Sequence, residues 1–295
     1  MGAGMQELVA QFLRTYQARL KPSTLRDYRS ILGLHLSKFP TFEALSLDLE
    51  EYLAGLAISG KRKNNILSTC RTFVAWARRR EIWAGQMLMV PRFPHRTKAT
   101  PPLNPEEARL VMDYSPQPYR DFFQFSILSG LRTGEALGLQ FGDFNLAAKV
   151  IKVRRSLSGG ELGTTKTMSS DRDFPILRPL WELYERRRKG NRRGSPWFFY
   201  SPLRGLLSLA AIRRAWKDVL EVFEIAARPL YATRHTFASL AIASGEDPLW
   251  IAKVMGHRRP DQLFLKYASF LEGVKPDGEK FLDLVGKKTF LRLAT

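Results

Sequence analysis

The chain has 295 residues, 44% of them hydrophobic and 12% aromatic, which supplies enough apolar material for a packed core and argues against wholesale disorder; the length suits two domains or one large one. Its 47 Lys+Arg outnumber 28 Asp+Glu, a formal net charge of +19, and such an excess favours a polyanionic partner because each neutralised phosphate releases condensed counterions. Charge does not choose among DNA, RNA and an anionic membrane, although the size of the basic excess favours nucleic acid, and part of it is explained more plainly as solubilised helix faces.

The segment Met1-Gly-Ala-Gly-Met5 has no basic n-region and no apolar h-region, so no signal peptide is expected. No run of about 18 apolar residues marks a membrane span, and a cytoplasmic protein is expected. Residues 6–88 read as four or five helices. Leu8, Phe12, Leu13 and Tyr16 share one face; Ser23-Thr24 caps a stretch carrying Leu25, Tyr28, Ile31 and Leu32; Leu49, Tyr52, Leu53 and Leu56 form a third face, and Ile66 through Ala77 a fourth. The single cysteine, Cys70, lies at helical spacing among Ile66, Phe73, Trp76 and Ala77 and reads as a buried structural thiol; alone, it excludes an internal disulfide framework. The basic clusters Lys61-Arg62-Lys63 and Arg78-Arg79-Arg80 are expected to interrupt these helices and to contact DNA, with a solvated face as the plainer reading of either one.

Between residues 91 and 103, Pro91, Pro94, Pro101 and Pro102 alternate with Arg92, Arg96 and Lys98, a basic extended linker that suits a path along a charged partner. Asn104-Pro105-Glu106-Glu107 then combines an N-cap, proline at the first helical position and an acid at N3, a strong helix start. The stretch 104–140 reads as helical. Val150–Val153 and 173–176, separated by a turn-rich stretch with Gly160 and Gly163, are expected to form a small antiparallel sheet. Helices follow at about 176–190 and 207–224, with a short extended piece at 197–200, and again at about 231–244, 248–255 and 261–272. The Arg186-Arg187-Arg188-Lys189 run with Arg192-Arg193 reads as a solvated helix end. Gly160 through Thr167 looks like a phosphate-cradling loop, but Thr165 stands where the second glycine is required, so no ATP site is expected. His35, His95, His235 and His257 form no metal-ligand pattern, and no metal or other cofactor is expected.

Ser129-Gly-Leu-Arg132-Thr-Gly-Glu135-Ala-Leu-Gly-Leu139, followed by Phe141-Gly-Asp143, is similar to the first box of the tyrosine recombinases of the phage integrase family. Thr165-Lys166-Thr167 through Arg172 and Pro175 looks like their β-hairpin lysine segment. Tyr231-Ala-Thr-Arg234-His235 resembles the second box, and Met255-Gly256-His257 and Tyr267 the closing elements. The resemblance runs from about 105 to 270, with a looser helical match upstream. It implies a mainly α fold with a small antiparallel β-sheet: a helical N-terminal core-binding domain (1–90), the linker (91–103) and an α+β catalytic domain with a C-terminal tail (104–295).

The residue types suit phosphoryl transfer. Charge builds on the non-bridging oxygens in the transition state, and arginine pairs bidentately with phosphate, so Arg132 and Arg234 are the natural clamp. Glu135, three residues after Arg132 and on its helical face, is expected to orient the cations; an ordinary ion pair is an equal reading. Tyr267 is the candidate nucleophile, leaving a 3′-phosphotyrosine and a free 5′-hydroxyl. Lys166 is placed to protonate the departing 5′-oxygen, and His257 to hydrogen-bond the phosphate. His235 reads as a structural histidine. The family's second box begins with a histidine where Tyr231 stands. Tyr231 is expected to share the phosphate with Arg234, with the proton-acceptor role passing to His257 or to water.

The resemblance further implies site-specific integration or excision of a phage or other mobile element, through a Holliday junction. The expected partners are double-stranded DNA recombination sites, to which the chain would bind as a homo-tetramer (a monomer free in solution, nucleoid-associated when on DNA), with accessory DNA-bending or directionality proteins and no membrane. The apolar residues Phe281, Leu282, Leu284 and Val285 are expected to dock on a neighbouring protomer, with packing on their own domain as the alternative. With helices beginning near Gln6, an arm-site domain is not expected ahead of them in this chain. A type IB topoisomerase-like enzyme and a DNA-binding regulator with a degenerate catalytic domain are the competing readings, and a telomere resolvase a weaker one.

Overall fold

Phe12, Phe73 and Trp76 meet in one aromatic cluster, with Phe12 edge-on to both partners at centroid distances of 5.5 and 5.6 Å. They belong to α1 (Met5–Gln17) and α4 (Gly60–Arg79), which pack with α2 (Pro22–His35) and α3 (Phe42–Gly55). In this computed structural model the described residues are 4–95, 100–158, 160–164, 171–201 and 205–257. The chain divides into two units, Met1–Lys98 and Ala99–Thr295. In the first, each helix contributes apolar residues of its expected stripe to the core: Leu8 and Phe12, Ile31 and Leu32, Leu49 and Leu53, and Ile66, Cys70, Phe73, Trp76 and Ala77 are buried. Cys70 is wholly buried, and burial pushes its thiol up to about 12.

Two local expectations are corrected here. Ser23 and Thr24 do not cap α2; Lys21 is the N-cap and Pro22 takes N1, a position for which proline's fixed φ is already suited. The basic clusters do not interrupt helices either. Lys61, Arg62 and Lys63 occupy the first turn of α4, Arg78 and Arg79 its last turn and Arg80 its C-cap, so they end a single 20-residue helix. Ser59 caps that helix by accepting from the backbone N–H of Arg62. The following chain is laced back onto α4. Arg71 donates to the carbonyls of Leu88 (3.3 Å) and Val90, and Asn64 exchanges two hydrogen bonds with the backbone of Phe93, at 2.8 and 2.9 Å.

The second unit begins with α5 (Pro105–Tyr114), whose capping box forms as expected: Asn104 Oδ1 accepts from Glu107 N, and Glu107 Oε2 accepts from Asn104 N, both at 2.8 Å. The stretch expected as one helix to residue 140 breaks into three, α5, α6 (Tyr119–Ser129) and α7 (Thr133–Leu137). Pro116 and Pro118 separate the first two, and Gly130, at φ +60°, turns the chain after the second.

β1 (Phe144–Asn145), β2 (Val150–Val153) and β5 (Arg172–Pro175) form an antiparallel sheet in the order β1-β2-β5, with Ile151 opposite Phe174. The turn-rich stretch between β2 and β5 holds a second ladder, β3 (Arg155–Ser158) with β4 (Glu161–Thr164). The start of the phosphate-loop look-alike is therefore strand. Next come α8 (Arg178–Gly190), the short pair β6 (Tyr200–Ser201) and β7 (Gly205–Leu206), α9 (Leu209–Val222), α10 (Ala232–Ala243) and α11 (Pro248–Met255). The extended piece at 197–200 drives Phe198 and Phe199 into the core against Phe122 and Phe125, and Phe198 N donates to Leu139 O at 2.9 Å.

The basic run in α8 is not uniformly solvated. Arg187 is 5% exposed; its Nη1 donates to Asp121 Oδ2 at 2.9 Å and its Nε to Phe198 O at 2.6 Å, while the guanidinium lies 4.6 Å from the centre of the Tyr200 ring. Helical periodicity explains this: Leu180, Leu183 and Tyr184 are buried on the same face, and Arg187 is the next position along it. Arg188, Lys189, Arg192 and Arg193 are exposed as expected. Among the described residues no helix is long and apolar enough to cross a membrane.

Candidate active site

The last carbonyls of α11 gather three arginines from three other elements. Arg172, on β5, donates from Nε to Val254 O at 2.5 Å; Arg234, on α10, from Nη2 to Met255 O at 2.9 Å; Arg132, ahead of α7, from Nη2 to Gly256 O at 3.2 Å. A helix end leaves its final C=O groups without intrahelical partners and carries the negative pole of the helix dipole, so it offers both the acceptors and the field that buried guanidinium groups need. Gly256 closes the helix in the left-handed region at φ +69°, and His257 N returns to Ala252 O at 2.9 Å. A Cβ at Gly256 would come within 2.9 Å of Arg172 Nη1, so glycine is required there for space as well as for conformation.

Arg234 is the most deeply placed of the three, 2% exposed, and its Nη1 also donates to Gly130 O at 2.6 Å. Burial pulls its guanidinium down to about 10, so it stays protonated at neutral pH. Arg132 is its opposite in accessibility, with about a third of its side chain (36%) in contact with solvent. It is not on the helical face of Glu135, as its spacing suggested, but is the extended N-cap residue just before α7. Glu135 nonetheless reaches it twice, accepting from Arg132 N at 3.0 Å and from Nη1 at 2.7 Å. The same carboxylate accepts from Arg172 Nη2 at 3.0 Å. Burial opposes the charge on Glu135, but Arg172 and then Arg132 more than offset it and hold the carboxyl below its ordinary range.

Tyr231 is the N-cap of α10, 40% exposed, with its ring edge-on to His235 at 5.1 Å. Tyr231 is exposed at the start of the helix, while the Arg234 guanidinium, three residues on, is held by the carbonyls of Gly130 and Met255. His257 is half-buried directly after the turn that carries Gly256. Lys166 and Tyr267 lie outside the described residues, as do Arg96 and Lys98. Of the proposed DNA contacts in the first unit, Lys61, Arg62, Arg78, Arg79, Arg80 and Arg92 are exposed. Lys63 is turned inward, with Nζ on Ala54 O at 2.8 Å and 5.3 Å from the Phe93 ring centre.

Two further ion pairs around the site also escaped the sequence reading. One is Arg172, which carried a readable signal: β5 alternates, Phe174 is buried, and Arg172 is two positions away on the same face. A cation on a core-facing strand position requires a buried counterion. The other is Arg155, whose two terminal nitrogens reach both oxygens of Asp143 at 2.5 and 3.2 Å and tie β3 to the 3-10 turn Phe141–Asp143. Gly134 and Gly138 let α7 lie directly against that strand. A Cβ on Gly134 would stand 2.5 Å from Leu157 O, and one on Gly138 3.2 Å from the Arg155 backbone. Among the described residues no group of three or more His, Cys, Asp or Glu side chains is placed to hold a metal ion.

Residues 102–270 match the model of the phage integrase family, and the chain belongs to that family. It is 25% identical over 201 residues to the prophage integrase IntR of Escherichia coli (60% of this chain, 49% of that protein) and 26% identical over 278 residues to the ICEBs1 integrase of Bacillus subtilis (85% and 74%). The chain thus spans about half the length of the first relative and three quarters of the second. Its fold is that of the Tn1549 transposon integrase, solved in complex with transposon right end DNA (TM-score 0.77, 18% identity, 94% of this chain and 99% of that one). A lambda integrase tetramer bound to a Holliday junction is also similar (TM-score 0.69, 14% identity, 88% and 79%).

Proposed function

We propose that this chain is a site-specific DNA recombinase that cuts and rejoins duplex DNA through a covalent tyrosine link, for the integration or excision of a mobile element. The observation that carries the reading is the convergence of Arg132, Arg172 and Arg234 on one helix end beside His257, within a family match that extends through position 267. Three guanidinium groups held by carbonyls and one carboxylate form a rigid positive site, and preorganised cations of this kind stabilise a phosphoryl-transfer transition state without reorganisation.

In this reading Arg132, the accessible arginine, takes the non-bridging oxygens directly. Arg234 adds field from beneath, each of its terminal nitrogens keeping a second hydrogen for the phosphate. His257 hydrogen-bonds the same phosphate, and Tyr231 donates from the solvent side. The Tyr267 hydroxyl passes its proton to His257 or a water as its oxygen attacks phosphorus. The bond from phosphorus to the 5′-oxygen breaks, that oxygen leaves with a proton from Lys166, and the bond energy is conserved in the 3′-phosphotyrosine. Rejoining then needs no ATP. Glu135 and His235 support this set from behind.

The first unit binds DNA through the exposed cations at both ends of α4. Lys61 and Arg62 stand in the first turn, where the helix dipole disfavours positive charge, which fits a role directed at an external anion. The linker sequence adds the cations Arg92, Arg96 and Lys98 to this proposed DNA contact. By analogy with the lambda integrase tetramer on its junction, four protomers act on two sites, monomeric until DNA assembles them, with accessory bending or directionality proteins. The substrate places the protein in the cytoplasm, on the nucleoid. Nicked duplexes tiling the two ends of the DNA element that carries the gene test the reading: wild type traps a covalent protein–DNA adduct and Tyr267→Phe does not. Adducts with plasmid relaxation but no paired-site product indicate a topoisomerase, and no adduct indicates a DNA-binding regulator.

A further inference from the structure

We infer that Arg172 is a positioning residue of the cleavage reaction, joining the strand that leaves the Lys166 segment to the turn that presents His257 and to the counterion of Arg132. The inference rests on the proposed function above. Its basis is the way one guanidinium is divided. Nε holds Val254 O at 2.5 Å, Nη2 holds Glu135 Oε2 at 3.0 Å, and Nη1 lies where any Cβ on Gly256 would collide. The side chain is 7% exposed, so it is enclosed by these partners and is not a surface contact for DNA.

The connections have distinct consequences. The bond to Val254 O fixes the C-terminal turn of α11 two residues before the carbonyl of Gly256, which holds Arg132, and three before His257. The bond to Glu135 divides that carboxylate between two arginines. Without Arg172, the full charge of Glu135 would fall on Arg132 and draw it away from a phosphate. Finally, Arg172 is the first residue of β5, directly after the segment that carries Lys166 and before a strand locked to β2 in register, Val153 opposite Arg172. One side chain thus sets the relative placement of Arg132 and the turn that carries His257, without itself facing the substrate. Lysine does not replace it: an ammonium can offset Glu135, but it has no planar fork to reach the carbonyl and the carboxylate together.

The test uses the nicked duplexes above with the full chain, measuring both single-turnover adduct formation and DNA affinity for Arg172→Met and Arg172→Lys. A misplacement of about 1 Å at a reacting centre costs about 100-fold in rate, which is the loss expected for Arg172→Met. Arg172→Lys, which keeps the buried charge and so protects the fold, should recover part of it. DNA affinity should stay within about threefold of wild type for both, because Arg172 makes none of the proposed phosphate contacts. Wild-type cleavage by the lysine variant, or a fall in affinity that matches the fall in rate, overturns the inference. If wild type itself forms no adduct, the functional reading fails instead.

Discussion

Glu135 binds Arg132 by two separate routes, accepting from its backbone N–H at 3.0 Å and from its Nη1 at 2.7 Å. One bond starts α7 and the other aims the side chain, so the same carboxylate specifies where the helix begins and where the cation points. Arg172 shares the acceptor, and removing the carboxylate leaves two buried or half-buried guanidinium groups without their counterion. Breaking a buried pair of this kind costs about 3 kcal/mol, and Glu135→Gln should show that loss in urea denaturation at pH 7. Its pH dependence has a definite sign. The folded-state pKa lies below the ordinary carboxylate value of 4.5, so the contribution is complete above that value and disappears as pH falls through the folded one. The stability gap between wild type and Glu135→Gln should be flat from pH 6 to 8 and narrow below about pH 4.5. A gap that widens in acid contradicts the assignment.

Gly134 is expected to tolerate no side chain. Its Cβ would stand 2.5 Å from Leu157 O and 2.7 Å from Ser156 Oγ, and a carbonyl in a paired strand cannot retreat cheaply. Alanine favours a helix over glycine by about 1 kcal/mol, but overpacking costs about 1–3 kcal/mol and should win. Gly134→Ala should therefore lower Tm, while Gly142→Ala, with open space around it, should not. Equal melting temperatures for the two variants would remove the close approach of α7 to β3 as the reason for this glycine.

Arg187 separates a structural arginine from its solvated neighbours. Arg187→Met removes the partner of Asp121 Oδ2 while Oδ1 keeps Arg186 and Gln117, and a buried acceptor left unsatisfied costs about 1–3 kcal/mol. Arg188→Ala, one position on and exposed, should fall within about 0.5 kcal/mol of wild type. Thermal denaturation of the two variants side by side decides the point.

Tyr231 stands at an exposed N-cap, so exchanging it should leave the fold intact, within about 0.5 kcal/mol. Tyr231→His supplies an imidazole able to accept a proton, and general-base groups are worth about 10²–10⁴ in rate. With His257 or water proposed to cover part of this role, a gain of about tenfold in adduct formation is expected. No gain would place the proton acceptor elsewhere.

Cys70 should be inert in the folded protein. Burial raises its thiol to about 12, and the thiolate is the reactive species. A thiol-disulfide reagent should label it only as fast as the first unit opens, with labelling accelerated by urea. Rapid labelling in buffer would contradict the burial.

The local features were legible because they depend on neighbours a few residues apart. The helical stripes of residues 5–79, the Asn104–Glu107 capping box, the β2–β5 pairing and the start of α11 at Asp247-Pro248 follow from side-chain period and cap chemistry. The order of Arg132, Lys166, Arg234, His257 and Tyr267 along the chain was likewise enough to suggest a family and a chemistry. What folding alone decided is which cation does what. Arg172 to Val254 spans 82 positions, Arg132 to Gly256 spans 124 and Arg234 to Gly130 spans 104. No periodicity encodes such pairings, because they arise where a helix end, left with unpaired carbonyls and a negative pole, meets guanidinium groups that packing has driven inward. The sequence by itself determined the order of arginines and a tyrosine on which the family resemblance rests; the tertiary structure decided that Arg132 stays partly exposed, that Arg234 and Arg172 are buried, and that Glu135 divides its charge between Arg132 and Arg172.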